Sequence, residues 1–222
     1  MLSVKTYVNN PVASNCYVLF DKGKGKECII VDPGSKYVES LFESLEAQVL
    51  IPKFIILTHE HFDHCWSVNA IVERFHIPII CSKLCAEAIG NEKKNCSVFF
   101  DNQTAFRINT ATICSDECSP FDYLGDKIVF YNTPGHTEAG ISFTIGQYLF
   151  TGDTLIKDLR TVTKLPTGSR SRLLESLHLY SLLQGHAYHV CPGHGDLFLL
   201  DEYDLSLALN GGNKKSDLFL SI

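Results

Sequence analysis

The stretch Thr58-His59-Glu60-His61-Phe62-Asp63-His64-Cys65 places four candidate metal ligands within six residues. Residues 54–57, just before it, are apolar and rich in β-branched side chains, a pattern that predicts a buried strand. Residues 68–75, just after it, carry apolar side chains at the spacing of an amphipathic helix. Side chains two apart in an extended segment point the same way, so His59 and His61 are expected to face together. The sequence therefore predicts a metal-binding turn between a strand and a helix.

Composition limits the classes of function. The chain has 222 residues, 45% of them hydrophobic, and no linker divides it, so one domain over residues 1–222 is expected. A net charge of −6 argues against a nucleic-acid partner, because such proteins present positive charge to phosphates. No apolar run approaches the ~20 residues that span a bilayer, and residues 1–11 lack the apolar core of a secretory signal. A cytoplasmic protein without a membrane partner is expected.

The cysteines indicate a reducing environment. The sequence has nine of them, an odd number, and no Cys-x-x-Cys pair occurs. A structural zinc site usually contains that pair, and a secreted disulfide framework usually has an even count in a smaller chain. We therefore expect reduced thiols that pack as small apolar side chains.

Strands and helices alternate along the chain. Residues 17–20 and 28–32 predict a hairpin, followed by a helix near residues 38–45 and a strand at 77–81. The second half predicts strands at 127–131, 141–145, 148–151 and 189–191, and helices at 172–183 and 201–209. This alternation predicts an α/β fold.

Three further candidate ligands lie in the second half. His136, Asp153 and His194 each lie just beyond an apolar strand and adjoin a glycine. Glycine lets backbone approach closely, as a crowded metal turn requires. The histidines outside these motifs are expected to be surface or packing residues; they are His76, His178, His186 and His189.

Four motifs taken together resemble those of the metallo-β-lactamase superfamily. They are the His59-x-His61-x-Asp63-His64 turn, Pro134-Gly135-His136-Thr137, Thr151-Gly152-Asp153-Thr154-Leu155 and Pro192-Gly193-His194-Gly195. The similarity is greatest to the glyoxalase II-like branch of small hydrolases and extends over residues 32–195. It implies a four-layer αββα sandwich with metal ions at one edge, between two sheets.

The resemblance also implies a ligand set. The ligands would be His59, His61 and His136 for one metal ion, and Asp63, His64 and His194 for the other, with Asp153 bridging the two. The predicted catalytic carboxylates are Asp63 and Asp153. The cofactor is predicted to be two divalent metal ions, with Zn²⁺ favoured and Fe²⁺ or Mn²⁺ as alternatives.

The donor chemistry supports a catalytic site. Imidazole and carboxylate ligands without thiolate suit Zn²⁺ or Fe²⁺ in a catalytic rather than a closed structural site. Two metal ions about 3.5–4 Å apart can lower the pKa of a shared water and supply hydroxide at neutral pH. The prediction is a hydrolase that uses a dinuclear-metal-bound hydroxide on a small thioester or ester.

Two alternatives stay open. One is a single-iron sulfur (persulfide) dioxygenase that uses only His59, His136 and Asp153, and the other is a non-catalytic metal-binding module. A flavo-di-iron role is disfavoured, because those proteins replace the second histidine with glutamate. True β-lactamase activity is disfavoured by the missing export signal, and nucleic-acid cleavage by the acidic charge.

Substrate selectivity is expected from two segments, residues 82–125 and 155–170. The first carries aromatic residues at Phe99, Phe100 and Phe121. The second departs from the glyoxalase II pattern after Leu155, so the resemblance predicts the chemistry and not glutathione recognition. It carries a basic cluster suited to a carboxylate or phosphate on a compact ligand, formed by Lys157, Arg160, Lys164 and Arg170. A small-molecule substrate is therefore predicted.

Overall fold

The computed structural model describes residues 1–101, 103–108, 113–114, 120–157 and 159–209. The chain divides into two compact units. Unit 1 comprises Met1–Glu117 with Asp122–Gly125, and unit 2 comprises Cys118–Phe121 with Asp126–Ile222. That the chain forms one domain over residues 1–222 stays a prediction.

The first sheet has six strands in the order β1-β2-β3-β4-β5-β6. They are β1 (Leu2–Val8), β2 (Asn15–Asp21), β3 (Glu27–Val31), β4 (Ile51–Ile56), β5 (Ile79–Cys81) and β6 (Ile113–Cys114). β2 and β3 pair antiparallel, which confirms the predicted hairpin. β3, β4, β5 and β6 run parallel to their neighbours. The run of buried apolar residues in β3 and β4 reflects this arrangement, because parallel strands are covered on both faces.

Short helices connect the parallel strands of unit 1. They are α1 (Glu39–Ala47), α2 (Phe62–Cys65), α3 (Val68–Phe75), α4 (Lys83–Ile89) and α5 (Ser97–Phe100). α3 covers the residues whose spacing predicted it. α4 begins at a serine cap, where the Cys85 backbone N–H donates to Ser82 Oγ at 3.1 Å. The predicted substrate segment 82–125 lies partly outside the described residues.

The second sheet has the order β12-β11-β10-β9-β8-β7. Its strands are β7 (Phe121–Tyr123), β8 (Asp126–Asn132), β9 (Ile141–Ile145), β10 (Tyr148–Gly152), β11 (His189–Pro192) and β12 (Phe198–Leu199). β8, β9 and β10 form an antiparallel meander, and β10 then pairs parallel with β11. The crossover between β10 and β11 carries α6 (Arg170–Leu183). The α/β prediction is confirmed, with two sheets.

Some predicted boundaries are wrong. β4 begins at Ile51, earlier than the predicted residue 54, and includes Pro52. α6 begins at Arg170 because Ser169 accepts a hydrogen bond from the Arg172 backbone N–H. The helix predicted over residues 201–209 is a 3₁₀ turn, Leu200–Glu202, followed by α7 (Leu205–Leu209). The Asp201 carboxylate accepts backbone hydrogen bonds from Gly185 and Ala187 there, which holds the turn against the preceding loop.

Two other sequence expectations concern cysteines and membranes. The cysteines whose side chains are described are buried, and none of them is in a disulfide; they are Cys16, Cys28, Cys65, Cys81, Cys85, Cys96 and Cys191. Burial raises the pKa of the Cys65 and Cys191 thiols, which keeps them protonated at neutral pH.

Within the described ranges, no helix is long and apolar enough to cross a membrane.

Helix α6 is anchored to β9 by the buried phenol of Tyr180. The Tyr180 side chain is fully buried, and its hydroxyl lies 2.7 Å from Ser142 Oγ, which in turn lies 2.8 Å from Thr133 Oγ1. Burial raises the pKa of Tyr180 to about 12, so its hydroxyl stays neutral and able to donate. α6 is therefore tied to β9 and to the residue just after β8 by a polar network among buried side chains.

We expect Tyr180→Phe to lower the free energy of unfolding by about 1–2 kcal/mol, because it removes a buried hydroxyl from this network. Urea unfolding monitored by circular dichroism measures the change. Tyr37→Phe is the matched control, since the Tyr37 side chain is 68% exposed and should leave stability unchanged. Equal stability of the two variants would contradict an anchoring role for the hydroxyl.

Candidate metal centre

In unit 1 the four predicted ligands lie between β4 and α3. β4 ends at Ile56, the chain bends at Thr58 and His59, and His61, whose backbone is extended, precedes α2. The rings of His59 and His61 are 4.8 Å apart between centroids, and those of His59 and His64 are 4.3 Å apart. Asp63 is buried beside them, with Oδ2 3.7 Å from His64 Nε2. The turn thus gathers three imidazoles and one carboxylate, each in a residue that is at most 2% exposed.

A carboxylate that sequence reasoning left without a role holds two of these ligands. Asp32 accepts a hydrogen bond from the Thr58 backbone N–H at 2.8 Å and another from the Thr58 hydroxyl at 2.7 Å. His64 Nδ1 lies 3.1 Å from the same carboxylate. Asp32 directly follows β3, and its backbone N–H donates to Ile56 at the end of β4. The parallel register of β3 and β4 therefore brings the carboxylate to the ligand turn.

These contacts determine which ring nitrogen of His59 and of His64 can coordinate a metal. An ionised Asp32 only accepts, so His64 Nδ1 carries the hydrogen that points to it. The single hydrogen of the Thr58 hydroxyl goes to Asp32, so the hydroxyl accepts from His59 Nδ1, which is 3.1 Å away. Both rings are left with Nε2 as the nitrogen that can coordinate a metal. Oriented imidazoles of this kind are typical of metal ligands.

The backbone around Asp63 is held as closely as the side chains. Its carbonyl oxygen accepts a short hydrogen bond from Ser14 Oγ and a long one, at 3.5 Å, from Asn9 Nδ2. Gly34 packs against the same carbonyl, and a Cβ placed there would lie 1.5 Å from the oxygen. The glycine in Asp32-Pro33-Gly34 is thus required by a close backbone approach. Unit 1 fixes both the position and the direction of α2.

In unit 2 the three remaining predicted ligands come together. Asp153 Oδ2 lies 3.5 Å from His136 Nε2 and 3.4 Å from His194 Nε2. All three side chains are at most 5% exposed. Asp153 follows β10 and His194 follows β11, and these two strands are parallel neighbours. A carboxylate oxygen between two imidazole nitrogens is a ready arrangement for a divalent cation.

The loop after Asp153 holds two of these ligands through its own atoms. His136 Nδ1 donates to the Val162 carbonyl at 2.7 Å, so Nε2 is again the coordinating nitrogen. The Thr161 hydroxyl donates to the Asp153 carbonyl at 2.7 Å. Gly135, next to His136, has φ +145°, and a Cβ there would lie 2.4 Å from the α6 backbone at Leu173. A glycine is therefore needed at the point where the His136 turn meets α6.

The donor set fits a divalent metal in each unit. The ligand atoms of His59 lie within 4.8 Å of those of His61 and of His64, and those of Asp63 and His64 are equally close. Imidazole and carboxylate donors suit Zn²⁺, Fe²⁺ or Mn²⁺. The seven residues predicted from sequence are therefore buried in two compact groups of metal-binding chemistry. The four histidines outside the motifs are exposed, as predicted.

Sequence reasoning missed the residues that orient the ligands. Asp32 and Thr58 had a usable signal, because polar residues directly after adjacent parallel strands meet at one sheet edge. Val162 had none, since it contributes a backbone carbonyl that its side chain does not announce.

The predicted aromatic residues have different surroundings. Phe100 packs against Phe62 of α2, with ring centroids 4.9 Å apart. Phe99 is 66% exposed. Phe121 lies 6.2 Å from Phe130 in unit 2. Phe100 therefore contacts a residue of the ligand turn.

Comparisons with known proteins agree with this chemistry. The sequence profile of the metallo-β-lactamase superfamily matches residues 9–194. An uncharacterised protein of Mycobacterium bovis is 30% identical over 196 residues, covering 83% of this chain and 87% of that protein. A hydroxyacylglutathione hydrolase of Cronobacter sakazakii is 33% identical over 135 residues, covering 61% of this chain and 44% of that enzyme. The crystal structure of the BLEG-1 B3 metallo-β-lactamase has a TM-score of 0.81 at 27% identity, covering 89% of this chain and 94% of that one.

We expect Asp32→Asn to weaken Zn²⁺ binding by about 10- to 100-fold, the usual effect of losing a residue that orients a metal ligand. The asparagine amide has an NH₂ group in place of one of the two accepting oxygens of the carboxylate. It therefore cannot accept all the hydrogen bonds that Thr58 and His64 donate to Asp32. Asparagine tolerates the left-handed conformation of Asp32, whose φ is 48°, so the backbone should be retained.

Zn²⁺ affinity is measured by competition with a chromogenic chelator, with circular dichroism as the check on folding. Asp122→Asn is the matched control, because it makes the same chemical change on an exposed residue of β7. If both variants bind Zn²⁺ as tightly as the unsubstituted protein, Asp32 does not orient the ligands.

Proposed function

Because the chain belongs to the metallo-β-lactamase superfamily, we propose that it is a metal-dependent hydrolase of small thioesters or esters. The observation that carries the proposal is the buried donor set of the two units, which contains histidine and aspartate alone. We propose that these seven residues together bind two divalent metal ions, with Zn²⁺ favoured. The implied ligands are His59, His61, Asp63, His64, His136, Asp153 and His194.

The residues of the chain have defined tasks in this proposal. Bound divalent ions supply an acidified water and a Lewis acid for the scissile carbonyl. Asp32 and Thr58 keep the Nε2 atoms of His59 and His64 available as ligands. Val162 does the same for His136. Fixed ligands of this kind need no reorganisation during the reaction, which is the general advantage of a preorganised site.

The thioester class is supported by one of the relatives. The Cronobacter sakazakii enzyme is named for hydrolysis of an acylated glutathione, which is a thioester. The match covers 44% of that enzyme, so we do not extend glutathione recognition to this chain. A compact substrate also agrees with the net charge of −6, since a polynucleotide would need an extended positive surface.

We expect the metal-loaded protein to hydrolyse at least one small thioester in a panel that also contains esters, lactones, a phosphodiester, a persulfide and structured RNA. The rate should change little between low and moderate salt, because no long track of phosphate contacts is involved. Free thiol release measures thioester cleavage. Efficient cleavage of RNA with no turnover of any thioester or ester would overturn the assignment. Oxygen uptake with the persulfide alone would establish the dioxygenase instead.

We expect about two metal ions per chain in protein purified without chelator, and about one in Asp153→Asn. A carboxylate between two cations offsets their mutual repulsion, which a neutral amide does poorly. Most of the turnover should disappear with the second ion, while circular dichroism stays unchanged. Elemental analysis gives the ratio, with Asp122→Asn as the control.

Two results would contradict this assignment. Full activity in Asp153→Asn would remove Asp153 from the site. A ratio of one in the unsubstituted protein, kept after metal is added back, would favour the single-iron dioxygenase.

A further inference from the structure

Unit 1 contains a cavity of about 100 Å³ at the ends of β1 and β3 and the first turn of α1. None of the seven candidate metal ligands lines it, so it is separate from the site described above. Val8 and Ser40 line it and are exposed, which leaves a way in from solvent. A single water needs ~10–15 Å³ of such a cavity. This one therefore has room for an organic molecule of about four to six non-hydrogen atoms.

Three polar side chains that line the cavity use their hydrogens elsewhere. The Ser67 hydroxyl donates a short hydrogen bond to the Ser35 carbonyl, and the Ser35 hydroxyl donates to Asn9 Oδ1 at 3.1 Å. Asn9 Nδ2 donates to Ser14 Oγ at 2.9 Å and to the Asp32 carbonyl at 3.1 Å. A hydroxyl has one hydrogen and a primary amide has two. Towards an occupant of the cavity, these three side chains can therefore only accept.

The rest of the lining is uncharged. No acidic or basic residue is among the described residues that form the cavity. Leu41 and Cys16 are apolar parts of its wall, at 7% and 1% exposure. Burial raises the pKa of the Cys16 thiol well above its usual range, so the thiol is neutral. A cation would lose its hydration here without an opposite charge, and an anion would face accepting oxygens. The lining thus favours a neutral molecule that donates hydrogen bonds.

The first turn of α1 offers donors to the same cavity. The first N–H groups of a helix have no partner within the helix, and Val38, at the start of α1, makes no side-chain cap. Ser40 and Leu41 belong to this turn and line the cavity. An occupant then needs groups that donate on one side and accept on the other. Hydroxyl groups do both.

We propose that this cavity binds a compact, uncharged polyol. Its hydroxyls donate to Asn9, Ser35 and Ser67 and accept from the first turn of α1. The site goes beyond the proposed hydrolase function and does not depend on it. Because the Asn9 amide also donates to the carbonyl groups of Asp32 and Asp63, an occupant contacts a side chain that supports the ligand turn.

Titration of the metal-loaded protein with glycerol, followed by its backbone amide NMR signals, tests the site. The signals of Ser35, Ser40 and Leu41 should shift and saturate, with a Kd in roughly the millimolar range expected for six non-hydrogen atoms. Acetate and methylammonium should give no saturable shift of these signals. The proposal is wrong if glycerol does not saturate them, or if either ion binds as tightly as glycerol.

A matched pair of serine variants tests the contact with α1. Ser40→Ala should weaken glycerol binding about two- to tenfold, the usual loss for one neutral hydrogen bond. Ser171→Ala makes the same change at the second residue of α6, which does not line the cavity, and should bind as the unsubstituted protein does. Equal affinity in the two variants would contradict the proposed contact.

A cavity-filling variant tests the location. Cys16→Met extends a flexible apolar side chain from the wall and should abolish the saturable shifts, while circular dichroism shows that the fold is retained. A folded Cys16→Met protein that binds glycerol with unchanged affinity would overturn the site. If that variant does not fold, the comparison of Ser40→Ala with Ser171→Ala decides.

Discussion

The parallel pairing of β3 with β4 is the constraint on which the unit 1 ligands depend. The register sets Val31 against Ile56, so that Asp32, one residue after β3, meets Thr58, two residues after β4, beyond the sheet edge. Asp32 then supplies a buried carboxylate that orients His64 directly and His59 through the Thr58 hydroxyl. A shift of one residue in the register would separate these groups, since alternate side chains of a strand point to opposite faces. Backbone pairing in the sheet thus decides the geometry of a site outside it.

Unit 2 reaches the same result by a different route. Here β10 and β11 set Asp153 and His194 side by side, again at the ends of parallel neighbours. The third ligand, His136, follows an antiparallel strand and is oriented by the Val162 carbonyl. In unit 1 the Asp32 carboxylate orients His59 and His64, and in unit 2 a backbone carbonyl orients His136. In all three rings Nε2 is the nitrogen placed to coordinate a metal.

The candidate ligands were easier to name from the sequence than the elements that carry them. Histidine and aspartate after apolar strands are chemically specific, so seven candidates could be named, and all seven are buried. That they bind metal stays a prediction. Helix α3 was equally clear, because its apolar spacing is unbroken. The helix expected over residues 201–209 was right only from Leu205 onward. Its first part is a 3₁₀ turn, where Asp201 accepts hydrogen bonds from the backbone of Gly185 and Ala187, a contact that the local sequence does not show. The role of Val162 could not be predicted either. Every residue has a backbone carbonyl, and the sequence does not show which one contacts His136.

The division between side-chain and backbone contacts has a consequence for selectivity. Val162 holds His136 through its carbonyl, and Thr161 holds Asp153 through a hydroxyl that reaches a carbonyl. Side chains at Arg160 and Val162 can therefore change without deleting the bond to His136, provided that the loop keeps its path. The orientation of the candidate metal ligands is then insulated from changes of these side chains. A loop of this construction can accept substitutions at exposed positions while the candidate ligands stay in place, which is one way in which related functions share one fold.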